Sequence, residues 1–168
     1  ERMTSLISGV DVAEGAPSRI FFWIKTFDIV QLYPFGTGVS GYQVLSPILL
    51  NELLLTGGQR AVHSTYFQVL GEYGYPGIVV FVGLIISNFV ATKRMKKQFI
   101  AQNDSIKVFQ TVVLEATIIS YLVAIVFIDR LYSVTLYWVM LIIMCFYNIY
   151  YIKNNEARQV SNKTFSTD

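Results

Sequence analysis

The chain has 168 residues, of which 54% are hydrophobic and 14% charged, with a formal net charge of +2 and a mean hydropathy of +0.50. A soluble globular chain carries about 25% charged residues, so this composition indicates an integral membrane protein. The small charge, with basic residues set beside apolar runs, excludes a nucleic-acid partner, and the single cysteine, Cys145, excludes a disulfide framework or a cysteine-rich metal site.

The chain opens on Glu1 with neither an initiator methionine nor a signal-peptide pattern, which reads as the C-terminal fragment of a larger membrane protein. Pro17 and Ser18 precede RIFFWIKTFDIVQLY, where Lys25, Asp28 and Gln31 fall three apart and draw one polar strip along an otherwise apolar helix. That helix is too short and too charged to span a bilayer, and Pro34 stops it. PFGTGVSGYQ reads as loop, after which Ser46 and Pro47 predict the cap and first position of a short helix through about Leu55, ended by Gly57 and Gly58. Both helices are expected to lie in the membrane interface.

Three predicted spans follow. Residues 73–92 and 131–152 contain no charge, and residues 108–128 contain one, Glu115. About 20 residues at about 1.5 Å each cover the roughly 30 Å hydrocarbon core. Asp129 and Arg130 alone separate the last two spans, which predicts a tight antiparallel hairpin capped by that pair. The loop 93–107 holds Lys93, Arg94, Lys96, Lys97 and Lys107 against Asp104, an excess that marks it as cytoplasmic. Residues 1–72, where acid exceeds base, then lie on the outer face, and the tail 153–168 lies inside. The expected fold is an all-α integral membrane protein.

The chemistry-bearing residues gather in the outer portion. His63 is the chain's one histidine and titrates near neutrality, as a general base must. Arg60 lies three residues earlier, and Arg19 and Glu72 are available in the same compartment. Guanidinium groups suit a diphosphate, which they bind bidentately. A histidine in such company is also commonly structural. GTGVSG at 36–41 matches a dinucleotide-binding pattern, but a helix ending in proline precedes it where a strand is required. Gly36 and Gly38 instead suggest a backbone that turns sharply or approaches a ligand closely. Ser64 beside His63 lacks a nucleophile-elbow sequence, and neither an H-E-x-x-H nor a D-x-D motif occurs, so no metal or other cofactor is expected. Glu115 inside a span is a functional candidate by default, although snorkelling or a structural hydrogen bond accounts for it equally well.

ERMTSL at 1–6, SRIFFW at 18–23, YPFGTGVSGY at 33–42 and HSTYFQVLGEYGYPG at 63–77 follow one another into a span. This series resembles the C-terminal signature of the O-antigen ligase and polymerase superfamily, most closely the ligases associated with exosortase systems. The resemblance covers about residues 1–85. It implies a polytopic GT-C-type glycosyltransferase of the bacterial inner membrane that takes a glycan from an undecaprenyl-diphosphate carrier at the periplasmic face and passes it to a lipid or protein acceptor. Arg19 matches the signature arginine and His63 the signature histidine; many ligases have His-Asn where this chain has His63-Ser64. Arg60, Gly36, Gly38, Glu72 and Tyr66 are the candidate substrate contacts. The family's N-terminal transmembrane half is an implied partner of these residues, without which the fragment is expected to be inactive. A polysaccharide polymerase using the same donor is the nearest alternative, and a polysaccharide transporter or flippase subunit gated at Glu115 is the alternative of another class.

Overall fold

The structure, a computed structural model, describes residues 16–49 and 62–153. It is all-helical, with no strand among the described residues. The helices are α1 (Ala16–Leu32), α2 (Gly41–Leu49), α3 (Thr65–Ala101), α4 (Ser105–Ala124) and α5 (Val134–Tyr147), which continues into a π-helical turn, Asn148–Ile152. Three stretches are long and apolar enough to cross a membrane: Thr65–Ala101, Ser105–Ala124 and Val134–Ile152. The chain divides into two compact units, Glu1–Val80 with Ile125–Leu131, and Phe81–Ala124 with Tyr132–Asp168.

In the first unit, α1 takes Pro17 into its first turn, where a missing N–H costs nothing, and ends one residue before the Tyr33-Pro34 step that disfavours helix. It buries Phe22, Thr26, Ile29 and Val30, a stripe at helical spacing, and leaves Ile20, Ile24, Phe27 and Leu32 exposed. The polar strip is present in part: Lys25 and Asp28 pair at 2.7 Å on the exposed side. Tyr42 packs against this helix, and its hydroxyl donates to Phe22 O at 3.2 Å.

α2 begins five residues earlier than Ser46 and Pro47 predict, which places Pro47 inside it. The reason lies in a distant residue: Ser40 N–H, at the start of α2, donates to Glu72 Oε1 at 3.1 Å, so a carboxylate from another helix caps its N-terminus. Residues 50–61, which were to extend the helix to Leu55 and include Arg60, lie outside the described residues, as do residues 1–15 and 154–168.

The loop 33–40 and the α3 segment 71–75 clasp one another through their backbones. α3 breaks at Gly74 (φ 64°, ψ −160°), a region open in practice to glycine alone, and resumes at once. The break frees carbonyls and an amide, and the loop supplies the missing partners. Thr37 N–H and the Thr37 hydroxyl both donate to Gly71 O at 3.0 Å, Gly38 N–H donates to Glu72 O at 2.9 Å, and Tyr75 N–H donates to Pro34 O at 3.0 Å. Pro76, next in line, has no N–H to satisfy. The two backbones approach so closely that a Cβ on Gly36 would strike Glu72 O and one on Gly74 would strike Pro34 O.

Three sequence-based boundaries are corrected. The span set at 73–92 is part of a helix that starts at Thr65 and runs to Ala101, so most of the loop set at 93–107 is helical. The span set at 108–128 ends at Ala124, and the one set at 131–152 begins its helix at Val134. The two-residue hairpin link is therefore a nine-residue segment, 125–133, and its first seven residues pack within the first unit. Thr65 holds them: its N–H donates to Ile125 O at 3.0 Å, its hydroxyl donates to Ile128 O at 2.7 Å and accepts Arg130 N–H at 3.0 Å. In the second unit α4 packs on α5, with Ile118, Leu136, Met140 and Ile143 buried.

Alanine at Gly36 or Gly74 is expected to cost about 3 kcal/mol or more, since it adds left-handed strain to a collision with backbone that cannot move aside. Gly83→Ala, in open space on α3, is expected to be neutral or stabilising by up to about 1 kcal/mol. Thermal unfolding in detergent checks the order.

Burial pushes the Tyr42 phenol up to about 12 from 10.0, opposed in part by the Thr26 hydroxyl. The fold favours the protonated phenol, so this contribution is complete below pH 10 and is lost as pH rises towards about 12. Tyr42→Phe is expected to lose about 1 kcal/mol at neutral pH and to flatten the alkaline end of the stability curve, as paired melting curves would show.

Candidate active site

The chain reaches His63 through a backbone fixed on both sides. On the N-terminal side Val62 is buried against Ile29 and Tyr42, and its carbonyl accepts Trp23 Nε1–H at 3.1 Å. Trp23 is stacked on Phe67 with centroids 5.2 Å apart and lies 6.3 Å from Phe127, while Phe27 meets Phe67 edge-on. On the C-terminal side stands the Thr65 anchor. Between these fixed points His63 adopts φ 51°, the left-handed region that is uncommon for a residue with a side chain.

That conformation turns the imidazole outward. The His63 side chain is 47% exposed, and its Nδ1 lies 3.8 Å from Asp129 Oδ2. Asp129, read from sequence as part of a hairpin cap, thus belongs beside the histidine. Its Oδ1 is buried and makes no hydrogen bond with another described residue, and the same is true of Ser64 Oγ. A carboxylate facing Nδ1 fixes the ring so that Nε2 is left to take a proton from a substrate, the arrangement by which histidine bases are oriented on many folds.

The remaining candidates divide. Arg19 is described and lies one turn before Trp23, so on α1 the two share a face, and Trp23 in turn holds the residue preceding His63. Arg19 makes no hydrogen bond or ion pair with another described residue. Tyr66 is half-buried at the start of α3, three residues beyond His63. Arg60 lies outside the described residues. Glu72 is corrected: its carboxylate is buried, accepts Ser40 N–H and the Gln68 side-chain amide at 3.4 Å, and holds the fold rather than facing a ligand. Gly36 is corrected likewise, because the close approach it permits is to the chain's own helix. Gly38 (φ 84°) has open space around it.

Next to the clasp, Pro34, Phe35, Tyr75, Pro76, Val79 and Val80 line an apolar groove of about 470 Å³. Phe35, at 81% exposure, stands at its edge.

Asp129 is the residue that sequence reasoning missed. Its signal was available in the composition of the link, where an acid beside an arginine ends an apolar span, but its partner is 66 positions away.

The family model for O-antigen ligase matches residues 2–82. No curated protein and no solved structure matches the chain. The matched residues include the clasp, Arg19 and His63, and the apolar helices that accompany them support a membrane, glycan-transferring, ligase-like role. This match supports membership of the chain in the O-antigen ligase superfamily.

Proposed function

We propose that this protein transfers a glycan from an undecaprenyl-diphosphate carrier to a hydroxyl of a lipid or protein acceptor, at the periplasmic face of the bacterial inner membrane, in the manner of the exosortase-associated ligases. The observation that carries the reading is the exposed His63, turned out by its left-handed backbone with Nδ1 toward Asp129, inside the region matched by the O-antigen ligase model.

His63 Nε2 takes the proton of the acceptor hydroxyl as its oxygen attacks the anomeric carbon. The bond from that carbon to the diphosphate oxygen breaks, and the electron pair leaves with the diphosphate. Arg19, with Arg60, neutralises the charge that builds there, so that guanidinium groups do the work without a metal. Asp129 is a positioning residue that keeps the imidazole in the basic tautomer. Tyr66 and the open backbone at Gly38 flank the sugar, and the apolar groove beside the clasp takes the prenyl tail. The N-terminal transmembrane half of the family completes the carrier site. The basic residues at 93–107 set the side of the membrane, since the positive-inside rule keeps them in the cytoplasm. Glu115, the residue on which a transport reading depends, lies 3.8 Å from Lys96 and has an ion pair to account for it.

The test uses the full-length protein in membranes, a defined carrier-linked glycan, and either a protein or a second carrier-linked glycan as acceptor. His63→Ala is expected to lower transfer by about 10²- to 10⁴-fold and Arg19→Ala to a comparable degree, at unchanged protein level. Asp129→Asn is expected to fall between these variants and the parent. Elongated carrier-linked glycan in place of modified acceptor would identify a polymerase, and undiminished transfer in both the His63 and Arg19 variants would refute the mechanism.

A further inference from the structure

The second unit carries a cation surplus that no carboxylate among its described residues answers. Lys93, Arg94 and Lys97 are all exposed on α3. At the helical repeat these three occupy one arc of about 100°. The neighbouring lysines are already engaged: Lys96 Nζ lies 3.8 Å from Glu115 Oε2, and Lys107 Nζ lies 2.7 Å from Asp104 Oδ2. No described carboxylate pairs with Lys93, Arg94 or Lys97.

An aromatic wall stands beside the arc. Arg94 Nη1 donates to the Tyr147 hydroxyl at 3.4 Å, and the Tyr147 ring is stacked on Tyr151 with centroids 4.8 Å apart and planes at 14°. One turn before Arg94, Val90 is exposed, and Val82, Leu84 and Ile86 are exposed further along the same candidate span. The arc therefore adjoins side chains suited to acyl tails, at the level where tyrosines and basic residues meet headgroups.

We propose that Lys93, Arg94 and Lys97 bind the phosphate of an anionic phospholipid. Arg94, steadied by Tyr147, supplies paired N–H donors to two phosphate oxygens, and the two lysines supply point charges on either side. The adjoining apolar surface receives the acyl chains, which selects a lipid over a free phosphate or an acidic peptide. The attraction of juxtamembrane cations to an anionic leaflet adds with each residue.

The test titrates the purified protein in neutral detergent with short-chain phosphatidylglycerol, phosphatidylcholine and inorganic phosphate, and counts bound lipid by native mass spectrometry. Phosphatidylglycerol is expected to be retained in preference to phosphatidylcholine and not to be displaced by equimolar inorganic phosphate. Replacing all three cations by glutamine is expected to weaken its binding about 100-fold. Because removing those charges also weakens the signal that orients the helices, Arg94→Lys and Tyr147→Phe serve as variants of unchanged charge, each expected to weaken binding several-fold. Equal retention of the two lipids, displacement by inorganic phosphate, or full binding in both charge-preserving variants would overturn the proposal.

Discussion

The first unit depends on a contact between two stretches of bare backbone. Where Gly36 meets Glu72 and Gly74 meets Pro34, there is no room for a Cβ on either side, and the loop and the broken helix exchange the hydrogen bonds that each has lost. A helix interrupted within or near a bilayer leaves carbonyls and amides that no lipid tail can satisfy, and each unpaired group costs several kcal/mol. The loop 33–38 answers them group by group, so the break is held at a fixed place. Glu72 adds a second tie, carrying the N-terminus of α2 on the same turn.

The clasp in turn fixes the start of α3, and with it the histidine. Rings pack ahead of His63, with Trp23 between Phe67 and Phe127 and its indole N–H on Val62 O. Behind His63, Thr65 gathers Ile125, Ile128 and Arg130 and so brings Asp129 to the imidazole. A residue held in left-handed conformation between two rigid anchors is the sort of strain that persists only where its surroundings impose it. Here its effect is to keep a titratable ring at the surface of a unit whose other polar side chains, Thr26, Ser64, Thr65 and Glu72, are buried.

Much of this could be read from the chain alone, and the parts that could not share one cause. Apolar runs of the right length announced three candidate spans, and Pro17 and Pro34 bracketed the first helix, because span length and proline geometry are local properties. The start of α2 was misplaced because its cap is the carboxylate of Glu72, 32 positions away. The hairpin link was drawn too short because apolarity continues through 125–128, while Thr65, more than 60 positions earlier, takes the carbonyls of Ile125 and Ile128 and ends the helix at Ala124. Gly36 announced a close approach, but only the fold reveals that the approaching partner is Glu72 and not a ligand. Local chemistry is legible in sequence, whereas a polar group satisfied from a distance is not.

The same accounting separates structural charges from chemical ones. An ionisable side chain near hydrocarbon needs an opposite charge or a reason to be exposed. Lys96 and Glu115 meet each other, Asp104 meets Lys107 in a contact that holds its carboxyl below the usual range, and Lys25 meets Asp28. His63 and Asp129 form a looser pair in which one carboxylate oxygen is left buried without a hydrogen bond to another described residue. Arg19 stands without a described partner one turn from the tryptophan that holds the histidine's neighbour. Groups that the fold has already neutralised have little left to offer a substrate. The cation on α1 and the imidazole with its underused carboxylate retain that capacity, and they lie in the part of the chain that the O-antigen ligase model matches.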